Sequence, residues 1–221
     1  HKIGGHGSET FTEATMNSCN PVFVGVGLRL GADTYYDYFE KFELIQKTGI
    51  DLPGESPGYI FSSEQLNVQE LATSSFGQGV TVTMVQIAAA TSSIINGGYY
   101  YQPHVVKQIV NNSGAVVKEV GPTLVRRTVS ENTSELVRKY MFDTVESGTG
   151  GLCKIAGYEI GGKTGTAEKL PRGNDNYLVS FIGFAPADNP ELLVYVVVDE
   201  PNAEEQDHSY YATYVCHDIM E

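Results

Sequence analysis

GGKTGTAEK, residues 161–169, admits two incompatible readings. With the residues before it, GYEIGGKT (157–164) matches the phosphate-loop pattern G-x-x-x-x-G-K-[ST] letter for letter. The same letters contain K-T-G, a pattern carried by enzymes that pass acyl groups through a serine. One lysine cannot serve both chemistries, so the flanks decide. A phosphate loop needs a helix directly after its Lys-Thr, because the free N–H groups of that helix hold the phosphate. Here Gly165 follows at once, and LPRGND (170–175) is turn chemistry. No helix can start at Thr164 and run. The other reading places the segment in an extended strand along a cleft. Lys163 then supplies positive charge, Thr164 and Thr166 share one face of the strand, and Gly165 lets a reacting group approach the backbone.

Two more strand-like runs follow, NYLVSFIGFAP (176–186) and ELLVYVVVDE (191–200). The joins, LPRGND and ADNP, are too short for parallel crossovers, so the three runs predict an antiparallel meander. YYATYVCHDIME (210–221) reads as a closing helix. Upstream, three helices are expected between Ser8 and Leu44. Ser8 or Thr10 caps the first, and Asn20 caps the second with Pro21 behind it. Gly31 ends the second, and Asp33 caps the third. TVTMVQIAAATSSIINGG (81–98) predicts a largely buried helix, with Val82, Val85, Ile87, Ala88 and Ile94 inward and Gly97 at its end. Two short strands are expected to join at Asn112-Ser113-Gly114. Ser130 opens a helix whose Leu136, Val137, Tyr140, Met141 and Val145 share a face, and Gly148 stops it. The class is α+β, with helices packed on an antiparallel sheet.

The 221 residues carry 14 Lys+Arg against 27 Asp+Glu, a net charge of −13. That argues against nucleic acid and anionic membrane surfaces as partners. No apolar run approaches the roughly 20 residues of a spanning helix. Three cysteines at wide spacing, with no CxxC, do not form a disulfide framework. Asp207, His208, Cys216 and His217 gather near the C-terminus and have the ligand types for Zn²⁺. The plainer reading is polar residues on a helix surface.

Ser18-Cys19-Asn20 supplies a second element of the set S-x-x-K, S-x-N, K-T-G. Alone it is weak, since Asn20 also suits a helix cap. The likeness runs further. TFTEATMNSCNPVFVGVGLRLGAD, KTGIDLPGE, SSFGQGVTVTMVQIAAATSSIINGGYYYQPHVVKQI, GGKTGTAEK and YLVSFIGFAPADNPELLVYVVVDEP resemble the transpeptidase domain of class B penicillin-binding proteins. The NSCNPVF and GGKTGTAEK forms are similar to its Gram-positive division and sporulation branch.

The resemblance implies a β-lactamase-like fold over residues 1–221 and an enzyme at the extracytoplasmic face of the bacterial membrane. Such an enzyme acylates a serine with a peptidoglycan stem peptide and passes the acyl group to an amine on a neighbouring strand. β-Lactam antibiotics would trap it, and no cofactor is required. Ser18 would relay a proton. Asn20 would hold the substrate amide and the catalytic lysine of S-x-x-K. Lys163 would set the field and bond Ser18. Thr164 and Thr166 would bind the substrate carboxylate, and the Thr166 N–H would be an oxyanion donor. Cys19, where the S-D-N form of the motif has Asp, would pack as a small apolar group. No serine in the chain has Lys three residues on. In the family that pair precedes S-x-N, so the chain is expected to begin after it and to be inert by itself. The family sheet has five strands and three are legible here. The ELLVYVVV strand is therefore expected to have an open edge, covered by the preceding segment or another chain. A related β-lactamase, D,D-carboxypeptidase, antibiotic sensor or non-catalytic peptide-binding module shares the same motifs.

Overall fold

The computed structural model describes residues 5–221. Thr10 caps α1 (Phe11–Met16) in a reciprocal box with Glu13, so Thr10 rather than Ser8 is the cap. α2 (Asn20–Leu30) ends at Gly31, whose φ of +78° suits only glycine. Two expected caps are corrected here. Cys19, not Asn20, occupies the cap of α2, and Asn20 is its first helical residue beside Pro21. α3 (Ala32–Lys41) starts from the same Gly31, which leaves Asp33 in the first turn. There its charge favours the helix dipole and caps nothing. The chain enters α2 one residue early, at Cys19, and Gly31 both closes α2 and opens α3, so neither Asn20 nor Asp33 falls at a cap position.

α4 (Val68–Ser74) lies in a stretch with no periodic signal, and Asn67 caps it. Gly27 of α2 lies against its end, where a Cβ would sit 1.8 Å from Ser75 Oγ. α5 (Met84–Ile95) is capped by Thr83 with Gln86. Its most buried residues are Gln86, Ala90, Ser93 and Ile95, while the expected apolar face is only half-buried. The correction has a cause. Gln86 Nε2 donates to the carbonyls of Leu44 (3.0 Å), Gln46 (2.7 Å) and Pro57 (3.0 Å), which anchors the 43–58 loop on α5.

The next segment folds as two ribbons rather than one pair of strands. β1 (Tyr99–Tyr101), β2 (Gln108–Val110), β3 (Val116–Glu119) and β4 (Leu124–Arg127) pair antiparallel as β1–β4 and β2–β3. The expected turn at 112–114 joins the inner pair. Ser130 caps α6 (Glu131–Ser147), and Gly148 ends it as expected. Met141 and Val145 are buried, but Leu136 is exposed, and Ser134 and Thr144 take buried places.

β5 (Gly161–Glu168), β6 (Tyr177–Ala185) and β7 (Leu192–Asp199) form the expected antiparallel meander, in the order β5-β6-β7. α7 (Tyr210–Met220) closes the chain. β6 is buried on both faces. Phe181 packs with Val145, Ile155, Ala212 and Cys216 on one side, and Ile182 and Phe184 with Ile95 and Met141 on the other. The diglycine of GGKTGT belongs to this packing. A Cβ on Gly161 would lie 2.3 Å from Phe184 Cζ, and one on Gly162 2.4 Å from Phe181 Cζ. Those glycines admit two rings; they cradle no phosphate. Among the described residues β7 has no strand on its outer side, so its edge is open as expected. No helix there is long and apolar enough to cross a membrane.

Candidate active site

Three ends meet at Lys163: the α1–α2 loop, the C-terminus of α6 and strand β5. The loop turns sharply at Ser18, whose φ of +52° is uncommon for a residue with a side chain. Backbone bonds hold it there, from Ser18 N to Thr15 O (3.1 Å) and from Cys19 N to Ala14 O (2.8 Å). α6 closes on it at Gly148, where a Cβ would lie 2.7 Å from Met16 O. The next residue, Thr149, donates its N–H to that same carbonyl at 3.1 Å.

Lys163 Nζ donates to Ser18 Oγ at 3.0 Å and to Thr164 O at 2.9 Å. Burial pulls its pKa from the ordinary 10.5 to about 8. Thr164 Oγ1 shares a hydrogen bond with Thr149 Oγ1 at 2.9 Å. Thr166 is exposed, and its hydroxyl donates to Asp207 O at 3.4 Å. Asn20 stands half-buried one residue past the Cys19 cap, free of the capping role. At Gly165 a Cβ would lie 2.5 Å from Ser180 Oγ on β6, so close strand packing also asks for glycine there. β5 is an edge strand that runs on through Glu168, and no helix begins at Thr164. The phosphate-loop reading ends there.

Lys163, Ser18, Thr164 and Thr149 are thus joined by hydrogen bonds beside an edge strand, with Thr166 further along it. The model described as the penicillin binding protein transpeptidase domain matches residues 1–221. The chain belongs to the penicillin-binding protein transpeptidase family. It is similar to stage V sporulation protein D of Bacillus subtilis, at 46% identity over 204 residues, 90% of this chain and 32% of that protein. Penicillin-binding protein PbpB of Mycobacterium tuberculosis is 32% identical over 215 residues, 91% of this chain and 32% of that one. The apo crystal structure of penicillin-binding protein 3 from M. tuberculosis superposes with a TM-score of 0.86 at 32% identity, covering 95% of this chain and 50% of that one. The D,D-transpeptidase domain of a peptidoglycan glycosyltransferase from Eggerthella lenta gives 0.84 at 29%, covering 97% and 54%. The chain spans about a third of the length of these curated relatives. As a penicillin-binding protein transpeptidase domain it has the expected α+β class and β-lactamase-like fold.

Sequence reasoning missed Thr149. Its only trace is the helix stop Gly148-Thr149-Gly150-Gly151, which says that a backbone comes close but not which one. The four residues with zinc-ligand types near the C-terminus do not form one cluster. Cys216 is fully buried, and its thiol is pushed up by contact with Cys153 and by burial. His208 instead pairs with Glu205 at 2.8 Å, and His217 lies 3.3 Å from Asp218. Asp207 is 4.0 Å from His208. These four residues do not converge, because the helix that carries Cys216 turns its sulfur into the sheet core. Cys19 is buried too, but beside Glu9 rather than in an apolar niche. Burial and a hydrogen bond to Glu9 push its thiol up.

Proposed function

We propose that these residues form the K-T-G strand and S-x-N loop of a peptidoglycan D,D-transpeptidase at the extracytoplasmic face of the membrane. The observation that carries the reading is the 3.0 Å contact between Lys163 Nζ and Ser18 Oγ, made across 145 residues of sequence. A hydroxyl held against an ammonium whose pKa is near 8 is suited to passing a proton between a reacting serine and a leaving amine.

The other roles follow from position. The stem peptide adds as a strand along the free edge of β5, where backbone groups lie open. Its terminal carboxylate, or that of a β-lactam, meets the Lys163 charge and the hydroxyls of Thr164 and Thr166. Thr149 aims the Thr164 hydroxyl. The Thr166 N–H stabilises the oxyanion, a contact worth ~3 kcal/mol in other enzymes. Asn20, not used as a cap, is available for the substrate amide. The acylated serine and its lysine base must come from an S-x-x-K pair, and none occurs in these 221 residues. The 221 residues alone are therefore inert.

Fluorescent penicillin tests this directly. The chain alone stays unlabelled, and the same chain joined to an S-x-x-K segment labels. In the joined protein Lys163→Ala slows acylation at least a hundredfold and Ser18→Ala at least tenfold. Labelling of the chain alone, or wild-type labelling rates in both variants, would overturn the assignment. Binding of stem peptide without any acylation of the joined protein would favour the non-catalytic peptide-binding module.

A further inference from the structure

The segment before α1 folds back onto the S-x-N loop and meets it at three unlike side chains. The ligand-type atoms of His6, Glu9 and Cys19 all lie within 4.8 Å of one another. No other group of three or more such residues is this close among the described residues. Cys19 is 8% exposed, and the Glu9 side chain is 7% exposed. His6 Nδ1 stands 3.6 Å from Glu9 Oε2. The other Glu9 oxygen is held by Asn17 Nδ2 at 2.5 Å, which fixes the carboxylate with one oxygen turned toward the cluster. Beside the triad lies a cavity of about 410 Å³, lined by His6, Glu9 and Cys19 together with Pro21 and Val22.

His6 and the Cys19 thiol both meet the Glu9 carboxylate, so three different ligand types converge on one point. Imidazole, carboxylate and thiolate are together the ligand chemistry of Zn²⁺, which suits tetrahedral N, O and S donors. Ligand atoms around tetrahedral zinc are roughly 3.5 Å apart, so a small rotation of His6 and Glu9 closes the triad. The cavity leaves the fourth position to water. Asn17 plays the part of the outer partner that orients a ligating carboxylate.

We propose that His6, Glu9 and Cys19 bind one divalent transition-metal ion, zinc by preference. Binding breaks the Cys19 S–H bond; sulfur keeps the electron pair and the proton leaves to solvent. Cys19 lies between Ser18 and Asn20, so an ion here ties the loop that presents both to the segment before α1. The site is structural: it does not touch Lys163, and the proposal stands whether or not the chain serves a transpeptidase.

Cobalt(II) is the probe. The chain is purified with reductant and chelator, dialysed free of both and titrated with Co²⁺. One equivalent is expected to bring up a thiolate-to-cobalt charge-transfer band in the near ultraviolet, and Zn²⁺ is expected to displace it. Cys19→Ala abolishes the band although Cys153 and Cys216 remain. His6→Ala, on a segment outside both sheet cores, keeps the fold by circular dichroism and weakens binding at least tenfold, as does Glu9→Gln. Elemental analysis of the desalted wild-type protein after Zn²⁺ loading gives one zinc per chain, independent of how any variant folds. No band and no retained zinc in the wild type overturns the site. So does a band that survives Cys19→Ala, or one that His6→Ala and Glu9→Gln leave unchanged.

Discussion

Lys163 shows what the site costs. Moving its pKa from 10.5 to about 8 by burial penalises the charged form by about 3 kcal/mol. Below pH 8 both the folded and the unfolded chain carry the proton, and the whole penalty is present. Between pH 8 and 10.5 the folded chain gives up the proton first, the unfolded chain holds more protons, and stability rises with pH. Lys163→Met removes the penalty along with the Ser18 contact. The stability of wild type relative to Lys163→Met should therefore increase by about 3 kcal/mol between pH 7 and 10.5. Urea unfolding at pH 7, 8.5 and 10.5 measures it, and a difference independent of pH would refute the buried ammonium. Ser18 is a second local cost, a left-handed residue kept for where it points. The letters Lys-Thr-Gly and Ser-x-Asn mark both residues. They report neither the depressed pKa nor the left-handed turn, because each depends on what the rest of the chain stacks around them.

Elements were legible where a local signal sets them. Ser130 and Thr10, one of two hydroxyls offered for α1, cap as expected, and Thr83 caps α5 without having been singled out. Asn20 and Asp33 have the same chemistry and do not cap, because the chain enters α2 one residue earlier and α3 directly from Gly31. α5 shows a second limit. Its periodicity marks an apolar face, yet the fully buried side chain is Gln86, chosen by three loop carbonyls up to 42 residues away. Gln86→Leu keeps the volume and strands those carbonyls, each unsatisfied group costing about 1–3 kcal/mol. We expect a loss of roughly 3 kcal/mol or more, and faster amide exchange confined at first to residues 44–58. Unchanged exchange in that loop would show that Gln86 does not hold it.

At the scale of the whole molecule the sheet is the frame, and its two edges differ. The β5 edge lies at the site, beside Ser18 and Thr149. The β7 edge is apolar and has no strand beside it among the described residues. Edges of that kind pair with other chains. Val197 is half-buried and packs into neither core cluster, so Val197→Lys places a charge on the edge strand without opening the core. The 221-residue chain should then stay monodisperse at several-fold higher concentration by light scattering, at unchanged thermal stability. Equal scattering by variant and wild type would mean that the edge is not what drives association.

The sequence by itself determined the meander, the K-T-G strand on its edge, most helix boundaries and the family. Those follow from side-chain alternation, turn residues and caps, which act over a few residues and leave their mark in the order of the letters. Only the tertiary structure decided that Lys163 reaches Ser18 across 145 residues, that Thr149 bonds Thr164, and that Cys19 faces His6 and Glu9. Those contacts depend on how α1 and α6 close over the sheet, where Gly148 admits the Met16 carbonyl and Gly161 and Gly162 admit two rings that come from another element, β6.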